Sequence, residues 1–165
     1  MPTATYIALA NLTLTGTDSE IEFASVPSTF RDLVLVITGG ISSGTGNVRI
    51  TLNSDTTDAN YSWVQMSGTG SATSSTTPSN GEQRYINYYG YPEADLHMNI
   101  LVNLMDYSAT DKHKTYLSRA NQADNGVTAL AGRWANTNAV TNIKITPTAS
   151  TFRADSTFSL FGIVS

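Results

Sequence analysis

The stretch LHMNILVNL, residues 96–104, decides the fold. Leu96, Met98, Ile100, Val102 and Leu104 occupy every second position, with His97, Asn99 and Asn103 among the residues between them. Successive side chains of an extended chain point to opposite faces, so this spacing places five apolar groups on one face of a half-buried β-strand. A helix would scatter the same five residues around its axis. The period of two recurs outward in both directions. Ile21 and Phe23 alternate with Glu20 and Glu22, and Val48, Ile50 and Leu52 alternate with Arg49 and Thr51. The run LVLVIT (33–38) is continuous and β-branched, as expected of a central strand covered on both faces. Further strands are expected at Tyr6–Thr15, with Ile7, Leu9, Leu12 and Leu14 as core candidates, at Tyr61–Met66, and at Tyr85–Tyr89. Others are expected at Thr115–Ser118, Val127–Trp134, Asn142–Thr146 and Phe158–Ile163. Ala120–Asp124 has room for one helical turn at best.

Between the strands lie turn segments: GGISSGTGN (39–47), NSDTTDAN (53–60), DYSATDKHK (106–114) and NQADNG (121–126). Short alternating strands punctuated in this way predict an all-β, antiparallel, jelly-roll-like sandwich of about 8–10 strands. The length of 165 residues fits one domain spanning the chain. Residues 67–81 (SGTGSATSSTTPSNG) carry no apolar group larger than alanine or proline, so a long exposed loop is expected there.

Composition narrows the function. Thr, Ser and Asn number 24, 18 and 13, a third of the chain, while charged residues are only 13%. These residue types favour strands and turns over helix interiors. The net charge of −4 and the three lysines oppose nucleic-acid binding and a polybasic membrane contact. The absence of cysteine excludes thiol catalysis, disulfides and cysteine-ligated metals. No apolar run reaches the roughly 18 residues of a membrane span, and MPTATYIALANLTLT lacks the basic start of a signal peptide.

No motif supplies chemistry. His97 falls on the polar side of its strand and His113 sits between two lysines in a turn. Asp55 and Asp58 in NSDTTDAN offer oxygen ligands without the spacing of a calcium loop. Glu20 and Glu22 share a strand face and read as exposed positions. No catalytic residue, cofactor or metal is therefore expected. The aromatic run YINYYGYP places Tyr85, Tyr88, Tyr89 and Tyr91 close together, and tyrosines of this kind serve at protein interfaces or on glycans.

Five phrases occur in a familiar order: EIEFASVPSTFRDLVLV (20–36), LNSDTTDANYSW (52–63), KTYLS (114–118), RWANTNAVTNIKI (133–145) and FSLFGI (158–163). Together they resemble small virion structural proteins of tailed bacteriophages, in which a strand–turn–strand around the proline opens a jelly roll and the F-x-L-[FY]-G-I strand closes it. The resemblance implies a location on the virion, as a capsid decoration (cement) protein on the outer surface of the shell. The alternative it implies is a tail-fibre or receptor-binding head contacting host glycans. The expected partners are the major capsid protein and further copies of the chain, with a homo-trimer as the usual closed assembly. The expected contact residues are Thr3, Ala4, Thr5, Tyr6 and Ile7 of the N-terminal segment and Tyr88, Tyr89 and Tyr91 of the aromatic run.

Overall fold

A computed structural model describes residues 4–78, 84–88, 97–122 and 126–164. Eleven strands are present among them: β1 (Tyr6–Thr13), β2 (Ile21–Phe23), β3 (Asp32–Gly39), β4 (Val48–Leu52), β5 (Tyr61–Gly68), β6 (Thr73–Thr76), β7 (Met98–Met105), β8 (Lys114–Gln122), β9 (Gly126–Trp134), β10 (Ile143–Pro147) and β11 (Thr157–Ile163). A single 3₁₀ turn at Asp58–Asn60 precedes β5. All described pairings are antiparallel, in an eight-stranded sheet ordered β1-β11-β3-β7-β8-β9-β5-β6 and a three-stranded sheet ordered β2-β10-β4.

The connectivity is a jelly roll with an added wing. Strands β1-β11-β3-β7 form one four-stranded layer, and β2-β10-β4 form most of the other. The segment around Tyr85 supplies the fourth position of that second layer: Ile50 N–H donates to the Arg84 carbonyl (2.8 Å) and Ile86 N–H to the Val48 carbonyl (3.0 Å). Two hairpins are inserted into this frame, β5–β6 after β4 and β8–β9 after β7. Both extend the first layer beyond β7.

The core lies between the layers. Leu35, Ile37, Ile100, Val102, Phe158 and Leu160 from the large sheet meet Ile21, Phe23, Ile50, Leu52, Ile143 and Ile145 from the small one, all buried. At about 25 cal/mol per Å² of apolar area removed from water, this burial is the main favourable term. Pro27 and Asp32 tie the turn into β3. Tyr107 donates its hydroxyl to the Pro27 carbonyl, and Asp106 N–H donates to Asp32 Oδ1 (2.8 Å). Gly162 lets the Phe30 ring lie on β11, because a Cβ there would sit 2.4 Å from Phe30 Cγ.

Several sequence expectations need correction. Eleven strands stand beside the expected count of about 8–10; the segment read as one loop at 67–81 contains the end of β5 and the whole of β6, and of the strand expected at Tyr85–Tyr89 the described residues form a bridge at Tyr85. Thr73 and Thr76 suit an extended chain, and the hairpin is tied by the Ser67–Ser74 pair, whose hydroxyls lie 2.7 Å apart. Its residues remain largely exposed, and 79–81 lie outside the described residues. Ala120–Gln122 continues β8 and is not a helical turn. Ile7 and Leu12 are exposed on β1, whereas Leu14 is buried.

Candidate interaction surface

The acids that looked like metal ligands are engaged in the fold. Asp55 Oδ2 accepts from Trp134 Nε1 and from Asn60 Nδ2 (both 2.8 Å), and Oδ1 accepts from Thr57 N–H (3.0 Å). Burial raises the Asp55 pKa, but these hydrogen bonds outweigh it and leave the carboxyl below its ordinary value. Asp58 pairs with Arg84 (2.9 Å). Glu20 and Glu22 flank Lys144 across β2 and β10, at 2.9 and 3.7 Å. His97 lies 2.8 Å from Arg153 Nη2 through Nε2. No group of three His, Asp or Glu that could hold a metal ion occurs among the described residues.

Of the expected contact residues, Ala4, Thr5, Tyr6 and Ile7 are exposed, while Thr3, Tyr89 and Tyr91 lie outside the described residues. Among the described residues, Thr5 and the strand that follows pair with β11 on one side: Val164 N–H donates to the Thr5 carbonyl (3.0 Å), and β1 pairs with β11 from Tyr6 to Thr13. Tyr88 is turned towards the core. Its ring centroid lies 5.3 Å from that of Trp63 and 5.7 Å from that of Tyr85, making a half-buried aromatic cluster under β5. The structure therefore does not bring Tyr88 together with Tyr6 and Ile7.

The sheet edges differ in how they are protected. A free edge strand presents unpaired N–H and C=O groups, which proteins normally blunt with charge, proline or brevity. Strand β2 has three residues with Glu22 among them, beside Glu20, and β6 has four. β1 runs for eight residues as YIALANLT, without a charge or a proline. Its one irregularity is a register shift between Ala8 and Ala10.

A second surface was missed by sequence reasoning. On the wing formed by β8, β9 and β5, inward positions bury Trp63, Tyr116, Leu130 and Trp134 together with polar groups, and part of the outward face is apolar as well. Inward positions include the buried polar residues Gln65, Ser118, Gln122 and Thr128, whereas outward positions carry Val64, Met66, Leu117 and Val127, exposed by 50, 66, 48 and 56%. These four are nearly half of the large apolar side chains exposed among the described residues, and they share one face. Register aligns them: Leu117 opposes Ala131, which opposes Val64, and Arg119 opposes Ala129, which opposes Met66. Ala129 and Ala131 are short, so the face dips along β9 into a groove of about 450 Å³. The signal was present in the sequence, as apolar residues on both phases of Tyr61–Met66 and Val127–Trp134. A strand covered on both faces leaves the same signature.

The chain matches no protein-family model and no curated protein. Among solved structures, it is similar to the crystal structure of a protein of unknown function from Shewanella oneidensis MR-1. That match has 12% identity and a TM-score of 0.23, over 98% of this chain and 77% of that one.

Proposed function

We propose that this protein is a non-catalytic structural component of a tailed-bacteriophage virion, a capsid decoration protein that binds the outer shell through β1. The observation that carries this reading is the β1 edge, eight uncharged residues with Tyr6 57% exposed and, among the described residues, no strand paired on its other side. An extended segment of a shell protein can add to this edge, with main-chain hydrogen bonds supplying affinity and Tyr6, Ile7 and Leu12 supplying side-chain contacts. The resemblance of the five phrases to those of phage virion proteins supports the same reading, as does the jelly-roll connectivity. The shell partner is the major capsid protein, and copies of the chain meet as a trimer around a symmetry axis of the shell.

The test is occupancy of particles from which the protein has been removed. Tyr6→Lys and Ile7→Lys place charge at the edge without removing any ladder bond, so the sandwich stays folded. Deleting residues 1–10 is a poorer test, because Tyr6–Ala10 already belong to the β11 ladder. The double variant is expected to lose at least tenfold in shell occupancy. Full occupancy of the shell, or label on the tail alone, overturns the proposal, the latter in favour of a receptor-binding head.

A further inference from the structure

We infer that the groove along β9 takes an extended apolar segment of a different protein, with a carboxylate of that segment set against Arg119. This surface lies on the wing, apart from the β1 edge, and the inference does not depend on the virion reading.

Three observations carry it. First, the outward face is apolar where a solvated sheet face would be polar: Val64, Met66, Leu117 and Val127 leave apolar area in water, a cost that a partner covering the face would remove. Second, the floor is made of Ala129 and Ala131, directly between the longer residues of β8 and β5, so the groove follows a strand direction and matches an extended chain. Third, the charge on this face has one sign. Arg119 is exposed in the middle of the wall and Arg133 lies at one end of β9, while no carboxylate lines the groove among the described residues. Arg119 makes no ion pair or hydrogen bond among the described residues, in contrast to Arg84, Arg153 and Arg31. A guanidinium flanked by apolar side chains favours a carboxylate brought in by an apolar partner, because the partner's own bulk excludes water from the pair. A second copy of this chain placed face to face would bring Arg119 and Arg133 of both copies onto one small surface, which like-charge repulsion opposes.

The experiment uses synthetic decapeptides of alternating Val and Thr that differ only in a central Glu, Gln or Lys, followed through the methyl signals of Ala129 and Ala131 by NMR. The Glu peptide is expected to bind at least tenfold more tightly than the Lys peptide. Arg119→Glu should reverse that order, and Met66→Lys should abolish binding of all three while the remaining spectrum stays that of the folded protein. Equal binding of the three peptides, or no shift with any of them at millimolar concentration, overturns the inference. So does a concentration-dependent dimer in sedimentation that Met66→Lys dissolves, since this would assign the face to a second copy.

Discussion

Tyr116 lies flat across Gly132, its direct partner on the neighbouring strand: a Cβ on residue 132 would sit 2.1 Å from the Tyr116 Cζ. The ring is fully buried and its hydroxyl reaches across to donate to the Tyr85 carbonyl at 3.2 Å. This contact helps to join the wing to the segment that completes the second layer, beside the Ser118 hydroxyl donating to the Ile86 carbonyl. Gly132→Ala must displace either the ring or the β8–β9 pairing, and overpacking of this kind costs about 2–3 kcal/mol. Urea unfolding of the variant measures the loss. In a Tyr116→Ala background the same glycine substitution should cost less than half as much, because the clashing group is gone.

Lys114 anchors the loops beside this joint. Its side chain is buried, and Nζ donates to the carbonyls of Ala109 (2.6 Å), Lys112 (3.0 Å) and Thr137 (3.2 Å). Burial holds its pKa below the ordinary lysine value. Three carbonyls around one ammonium give a buried charge the hydrogen bonds it needs, and they bind the turn after β7 to the loop after β9. Lys114→Met fills a similar volume but leaves those carbonyls without their donor. We expect a loss of about 3 kcal/mol in thermal or urea unfolding, with faster amide exchange at Val140, whose N–H donates to the Tyr107 carbonyl in the same cluster (2.8 Å).

Asp55 predicts a pH dependence. Its carboxyl titrates below the ordinary aspartate value in the folded protein because Trp134, Asn60 and Thr57 donate to the charged form. A folded-state pKa lower than the unfolded one gives stability that is complete above about pH 4 and is lost as pH falls through the folded value. Asp55→Asn should cost about 1–2 kcal/mol at pH 7, the worth of charge-assisted hydrogen bonds at a half-buried site. The gap between the two proteins should close as the pH is lowered from 4. A constant gap across that range would show that Asp55 acts through shape alone.

Strand positions were legible because burial on one face writes a period of two, as in Met98, Ile100, Val102 and Leu104, all now found buried on β7. Trp63 and Trp134 also fill the core as their size requires. The order of strands was not legible. Ile21–Phe23 pairs with Ile143–Ile145, more than 100 residues away, and the Glu20–Lys144 and Glu22–Lys144 ion pairs that accompany this closure follow no local pattern. Ile7 and Leu12 were assigned to the core, yet both are exposed on β1. Edge position is a property of the finished sheet and leaves little trace in the local pattern. Tyr88 illustrates the same limit: a tyrosine beside other tyrosines reads as a surface anchor until Trp63 is placed against it.

The central claim is that the protein stabilises a shell through the β1 edge, and the temperature at which particles release their genome tests it most directly. Three particle preparations are compared: bare, decorated with the unaltered protein, and offered the Tyr6→Lys, Ile7→Lys variant. The account predicts that decoration raises the release temperature and that the variant leaves it at the bare value. Release at one common temperature in all three, with host adsorption falling when the protein is absent, would contradict it.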